Sequence, residues 1–317
     1  MESLSLINFL TEIHSGDISF IIFMNNLIYI MLIFNICMLQ AIILDHDGTM
    51  SQTMERQFSW FKEWWNHPIN EKNVQGHEFP YKDLKSFLEM YNKNIDHPDE
   101  VQNVYNFLNL ECDMEDFDHP VWPAYKAFAA KNPALLYEGM GNALEELFHA
   151  GSLGSKFNSN NKRVRLGVNT SNSWSLVRGD LKSNNVLQYF DSYVSKEILN
   201  EYHGYGGAGY IKKPSNIPLA YSLNMLDASG DLALFVGDSL VDCAAGKKIK
   251  RLGLGFEENI KTIGVTWGYA AAGEGKERAR EELLKGIEVP GRGTVYFDHI
   301  VDSPDEIVNI AKDYMSR

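Results

Sequence analysis

Ala41-Ile42-Ile43-Leu44-Asp45-His46-Asp47-Gly48-Thr49 is the stretch that decides the fold. Four apolar residues, two of them isoleucine, have the composition of a short buried strand. Two carboxylates follow at i and i+2, a spacing that puts both on one side of an extended chain. Gly48 then turns the chain and leaves Asp45 and Asp47 at the strand's carboxyl end, where open α/β sheets bind ligands. Two close acids repel unless a cation or a proton lies between them. The pair suits chemistry in which one carboxylate attacks, the other moves a proton and a divalent metal holds the charge. The same letters also fit a strand that merely runs into an Asp-Gly turn, so the rest of the chain has to choose.

The length of 317 residues suffices for one large domain or two moderate ones. A hydrophobic content of 44% is that of a globular protein with a core. With 29 Lys+Arg against 42 Asp+Glu, the formal charge is -13. Such a chain repels polyphosphate backbones, which argues against nucleic acid as a partner. A small phosphorylated metabolite remains compatible, because a site can be locally positive. Cys37, Cys112 and Cys243 lie far apart, make no metal-ligand spacing and read as core thiols of a reducing compartment.

Residues 18–39, ISFIIFMNNLIYIMLIFNICML, are almost wholly apolar and long enough to span a bilayer. Asn25, Asn26 and Asn35 interrupt them, no Lys or Arg precedes Arg56, and the strand at Ala41 follows with almost no linker. Three readings stay open. Residues 1–37 are an upstream extension ahead of a protein that starts at Met38, a membrane anchor, or an extra packed helix. The first goes with a cytoplasmic location; the second ties the protein to a membrane through residues 18–39 alone.

After Thr49 the character changes. In residues 53–137, Phe58, Phe61, Trp64 and Trp65 recur at spacings of three and four, the mark of an aromatic helical face packed into a small core. Further helices are expected near Tyr81–Lys93, Asp99–Leu108 and Pro123–Lys131, punctuated by Pro68, Pro80, Pro98, Pro120 and Pro133. This is a helical insert between the first strand and the rest of a sheet.

An α/β rhythm follows: a helix at Gly141–Ala150, a loop at 152–163, a strand at Arg165–Asn169 and a helix from about Ser175 to Ser183. A third strand is expected at Phe190–Val194 and a helix at Pro218–Leu226. The intervening Gly204–Gly209 run lacks the Gly-Lys-Ser/Thr ending of a nucleotide loop and reads as a linker. Leu232–Val236 is the clearest buried strand, running into Gly237-Asp238-Ser239-Leu240-Val241-Asp242 and a helix at Cys243–Ile249, with Ser239 as N-cap. Strands are expected at Thr262–Thr266 and Thr294–Val301. Ser303-Pro304-Asp305-Glu306 opens the last helix with the letters of a capping box.

Four separate strand ends therefore carry polar groups: Asp45 with Asp47, Thr170, Lys213 just after a strand and loop, and Asp238 with Asp242. In a parallel sheet these ends converge on one edge. Together they offer a nucleophile, a proton donor, a hydroxyl and an ammonium for phosphoryl oxygens, and carboxylates for Mg²⁺. His46, on a regular strand, points away from the two acids and reads as a histidine packed behind them or in the core.

The runs ILDHDGT, GVNTSN, KKPSNIPLAY and LFVGDSLVD, in this order, resemble the four motifs of the haloacid dehalogenase superfamily of phosphatases. GVTWGY and DHIVDSPDEI resemble its phosphoglycolate phosphatase-like branch. The resemblance covers residues 38–317. It implies a Rossmann-like parallel sheet core, residues 38–52 and 138–317, with an α-helical cap inserted at 53–137. It implies a Mg²⁺-dependent phosphomonoester hydrolase in which Asp45 attacks phosphorus and Asp47 protonates the leaving alkoxide and then activates water. Thr170, Ser171, Asn172 and Lys213 would bind substrate, with Thr170 and Lys213 also assisting catalysis. Asp45, the carbonyl of Asp47, Asp238 and Asp242 would serve the metal. Gln52 departs from the branch, which commonly has Asp there. Phosphomutases share all four motifs, and a scaffold kept as a membrane-tethered, non-catalytic module is a third reading. The substrate and the oligomeric state are not written in these motifs.

Overall fold

The computed structural model describes residues 39–95, 101–114, 116, 118–153, 163–203, 211–228, 233–249, 260–269 and 274–316. The apolar stretch up to residue 38, the Gly204–Gly209 run, and most of 152–163 and 249–260 lie outside them. Among the described residues no helix is long and apolar enough to cross a membrane.

Six parallel strands form the core sheet: β1 (Ala41–Leu44), β2 (Arg165–Asn169), β3 (Ser192–Val194), β4 (Ala233–Gly237), β5 (Ile260–Val265) and β8 (His299–Val301), in the order β3-β2-β1-β4-β5-β8. β1 is central, with Leu44 level with Val168 of β2 and Val236 of β4. A strand covered on both faces needs apolar residues at every position, which is why β1 and β4 are continuous hydrophobic runs. Alternation then divides them. Ile42 and Leu44 pack into a cluster with Leu166, Val168, Leu234 and Val236, covered by α5 (Met140–Leu153), α6 (Trp174–Ser183) and α11 (Pro304–Ser316). Ala41 and Ile43 face the other way, with Phe235 and α8 (Ile217–Met225). α7 (Lys196–His203) follows β3, α9 (Leu240–Lys247) follows β4, and α10 (Lys276–Leu284) precedes the final strands.

Between β1 and β2 the chain is helical: α1 (Thr53–Trp65), α2 (Leu84–Ile95), α3 (Val101–Phe107) and α4 (Val121–Lys131), with a short turn of helix at Glu71–Val74. This block has its own core, in which Trp60, Phe61, Trp64, Phe87, Val104 and Phe128 are buried. The indoles are satisfied as well as buried: Trp60 donates to the Tyr105 hydroxyl at 2.7 Å and Trp64 to the Glu111 carbonyl at 2.9 Å. The two connections of the block run side by side. Gln52 N donates to Leu135 O at 2.8 Å, and Tyr137 N to Met50 O at 3.0 Å.

Three expectations need correction. The run Thr294–Val301 is two strands, not one. β7 (Gly293–Val295) pairs antiparallel with β6 (Ile287–Val289), and only β8 joins the sheet. The break falls at Asp298, whose Oδ2 accepts from Thr262 N at 2.7 Å, Thr262 Oγ1 at 3.0 Å and Lys247 Nζ at 2.9 Å. With the Asp298 N–H donating to Thr262 O at 3.0 Å, those bonds fasten the start of the β5–β8 ladder at this residue, so the strand that joins the sheet begins only here. Phe190 and Asp191 are likewise not strand: Leu187–Tyr189 forms a 3₁₀ turn, and β3 begins at Ser192. Lys213 does not follow a strand; it lies in a turn between α7 and α8.

Candidate active site

The carboxyl ends of β1, β2 and β4 meet at one edge of the sheet. Asp45 follows β1 and extends its ladder, donating its N–H to Val236 O at 2.9 Å. The chain then turns at Gly48, whose φ of 76° favours a residue without a side chain. A methyl there would collide with the Asp238 carboxylate, and one on Gly268 would strike Asp238 from the other side. Asp238 is therefore threaded between two glycine backbones.

Lys213 Nζ lies 2.5 Å from Asp45 Oδ1 and 2.7 Å from Asp242 Oδ1. Asp45, Asp238 and Asp242 each offer a carboxylate oxygen, all within 4.8 Å of one another, and all three residues are buried. Burial pushes the Asp45 carboxyl well above its usual range; Lys213 pulls it down, while Asp242, Asp47 and Asp238 push it up again. Burial, then Asp242, pushes Asp238 to about 7, against the N–H of Tyr269 and the charge of Lys213. Burial also opposes the charge on Lys213, but Asp242 and Asp45 outweigh it and hold the ammonium above its ordinary range. One ammonium among three buried carboxylates leaves negative charge uncompensated, and hard oxygen donors in this number suit Mg²⁺. The residues fit the metal that the sequence implied.

Asp242 has a second duty. Its Oδ2 accepts from Ser239 N at 3.2 Å and Ser239 Oγ at 2.5 Å, closing a capping box at the start of α9. The box sets the aspartate's rotamer and so aims its other oxygen at Lys213.

Asp47 stands apart from the metal-type cluster, with its side chain about one-third exposed. Thr170 Oγ1 donates to its Oδ2 at 3.1 Å and Asn172 Nδ2 approaches its Oδ1 at 3.4 Å. Burial acts to raise its pKa, but His46, then Asn172 and the Thr53 hydroxyl, outweigh it and hold the carboxyl below its usual range. A phosphate dianion alongside would oppose that ionisation and favour the proton-carrying form. The turn Thr170–Ser173 is fixed by Glu197, which accepts from Ser173 Oγ at 2.6 Å and Trp174 N at 2.9 Å. Asp45, Asp47, Thr170, Asn172, Lys213, Asp238 and Asp242 are thus brought together. Ser171 is exposed and takes part in none of these contacts.

Sequence reasoning missed several residues. His46 does not turn its back on the dyad: regular strand ends at Leu44, and the ring comes 3.5 Å from Asp47 Oδ1. Tyr269 N donates to Asp238 Oδ2 at 2.8 Å, and its hydroxyl accepts from Met54 N at 2.8 Å and donates to Glu55 at 3.0 Å. One tyrosine thereby joins the acidic cluster to the first turn of the helical block. The signal was the Trp267-Gly268-Tyr269 run, where glycine permits close backbone approach. A groove of about 360 Å³ inside the helical block, lined by Trp60, Trp64, His67 and Lys131 among others, does not border the acidic cluster.

A parallel sheet in this order, with acids at the ends of β1 and β4 sharing one lysine, is the arrangement of a haloacid dehalogenase-like hydrolase. The model of that family matches residues 39–250, and the chain belongs to it. Over 215 residues, 66% of this chain and 80% of the relative, it is 24% identical to a protein of Clostridium perfringens (strain 13 / Type A) named "Putative pyrophosphatase PpaX". Among solved structures, a "predicted phosphoglycolate phosphatase" from Haemophilus somnus 129PT is 18% identical, with 86% of this chain and 97% of that one covered and a TM-score of 0.56. A "putative beta-phosphoglucomutase" from Thermotoga maritima is 19% identical, with 87% and 99% covered and a TM-score of 0.53. Likeness at these identities shows a shared fold.

Proposed function

We propose that this chain is a Mg²⁺-dependent phosphomonoester hydrolase acting on a small phosphorylated metabolite through an aspartyl phosphate. The observation that carries the reading is the division of labour between two acids two residues apart. Asp45 is buried against Lys213 beside two further carboxylates, while Asp47 is partly open and held by Thr170 and Asn172.

Asp45 Oδ attacks phosphorus as the bond to the leaving oxygen breaks, and Asp47 gives that oxygen its proton. Water then attacks phosphorus, Asp47 takes the water's proton, and the bond to Asp45 breaks to release inorganic phosphate. Lys213 neutralises Asp45 and the phosphoryl group. Thr170 hydrogen-bonds a phosphoryl oxygen once the substrate displaces its contact with Asp47. Asp45, Asp238 and Asp242, with the Asp47 carbonyl, would hold Mg²⁺, which supplies charge neutralisation for the phosphoryl group. The helical block, residues 53–137, would act as a cap that excludes water during attack.

Phosphate release from a panel of phosphoglycolate, glycerol phosphates and sugar phosphates, with Mg²⁺ or EDTA, tests the reading. Wild type should release phosphate only with Mg²⁺, and Asp45→Asn should be folded and inactive. Retained turnover in Asp45→Asn rejects the mechanism. Isomerised sugar phosphate without free phosphate would instead identify a mutase.

A further inference from the structure

Behind the two acids lies a buried polar set that the proposed reaction does not use. The His46 side chain is fully buried. Its Nδ1 is 3.5 Å from Asp47 Oδ1 and its Nε2 is 3.7 Å from Asp180 Oδ2. Asp180, on α6, is buried too. Its Oδ1 accepts from Arg56 Nη1 at 2.6 Å and from Ala134 N at 2.9 Å. Arg56 belongs to α1, and Ala134 to the segment returning from the helical block. Asp180 therefore fastens both connections of that block to the core helix.

The line of contacts is incomplete in a telling way. Both ring nitrogens of His46 and Asp180 Oδ2 are buried without a hydrogen-bond partner. Leaving such an atom unpaired is costly, and buried polar atoms are nearly always paired. Here the orphaned atoms face one another and Asp47, only about half an ångström beyond hydrogen-bond range. Hydrogen bonds at active sites are often long in the free enzyme and tighten when the complex forms. A shift of about half an ångström in the imidazole and the Asp180 carboxylate would close both contacts, and Arg56 on α1 already holds that carboxylate from its other side.

We propose that His46, braced by Asp180 and through it by Arg56, is a positioning residue that fixes the Asp47 carboxylate for proton transfer to the leaving group. Seating of the helical block is thereby felt at the proton-transferring acid. The inference rests on the phosphomonoesterase reading given above. A histidine that merely fills space would affect all substrates alike. A histidine that aims Asp47 matters most where the leaving group needs a proton.

The test compares kcat/KM, which reports the first chemical step, on p-nitrophenyl phosphate and on whichever alkyl phosphate of the panel wild type turns over fastest. The nitrophenolate leaves without a proton; the alkoxide does not. His46→Leu and Asp180→Asn should lose at least tenfold more activity on the alkyl ester than on the aryl ester, through kcat with KM nearly unchanged. Arg56→Met should shift the ratio in the same direction, and His46→Asn, which keeps a donor near Asp47, should recover part of the loss. Equal losses on both esters, or none, overturn the inference while leaving the hydrolase reading intact. Loss of the folded far-UV spectrum in every variant assigns the set to stability alone and overturns it as well. Wild type that releases phosphate from neither ester removes the hydrolase reading itself.

Discussion

Replacing Lys213 by methionine tests the electrostatics of the site directly. The substitution keeps the aliphatic stem and removes the ammonium that lies 2.5 Å from Asp45 and 2.7 Å from Asp242. Breaking a buried pair by removing one partner costs about 3–5 kcal/mol. An independent bound agrees. The orphaned carboxylate escapes its penalty by taking a proton, and for an aspartate of ordinary pKa near 3.9 that costs about 5 kcal/mol at pH 7.5. The expected loss in EDTA is therefore about 3–5 kcal/mol, read from urea unfolding midpoints with unchanged slope. Mg²⁺ should act in the opposite sense. A ligand at a hundred times its dissociation constant stabilises by about 2.7 kcal/mol, and the variant, with one more uncompensated acid, should gain more than wild type. Activity should stay lost, because Mg²⁺ does not replace the ammonium against the phosphoryl group. A loss below about 1 kcal/mol in EDTA, the ceiling for an exposed pair, or an equal Mg²⁺ gain in both proteins, would refute the reasoning.

Two further substitutions probe the frame around the cluster. Gly268→Ala places a methyl against Asp238 and the Gly48 carbonyl; it should cut kcat at least a hundredfold, about 2.7 kcal/mol or more of barrier, with a far-UV spectrum like wild type, and near-normal turnover would show that Asp238 can move freely. Asp298→Asn should destabilise by about 1–3 kcal/mol at pH 7. Burial opposes the charge on Asp298, but the Thr262 N–H and Lys247 outweigh it and hold its carboxyl below the usual range. A depressed folded pKa stabilises above the unfolded value, near 3.9, and that contribution is lost as pH falls through the folded one. The gap between wild type and variant should thus narrow below about pH 4; a gap that widens on acidification contradicts the assignment.

How far the sequence foretold this structure varied with how local each cause was. β1 and β4 were legible because a strand buried on both faces must be apolar throughout, and each ends in an acid. β2 was legible from Leu166 and Val168 alternating with smaller or polar neighbours, just before the polar run Thr170-Ser171-Asn172-Ser173. Lys213 could be recognised by the motif around it, although its true setting, a turn between α7 and α8, could not. The hairpin of β6 and β7 was masked because Thr294 to Val301 is rich in strand formers; the Pro290-Gly291 pair was the neglected cue. Asp180 and Arg56 gave no cue at all. Each sits in a helix where a charge reads as a solvated face, and they meet across 124 positions of chain. His46 misled because alternation was carried two residues past the end of the strand at Leu44.

Asp45 belongs to the central strand, yet the cation that neutralises it arrives 168 residues later. At about 5–20 residues per second, a ribosome takes roughly ten to thirty seconds to deliver that lysine. During synthesis the first strand emerges with neither neighbour, its apolar edge bare and its two acids still in water. The working centre is accordingly among the last things this polypeptide acquires, and regained turnover during refolding should report completion of the sheet rather than its beginning.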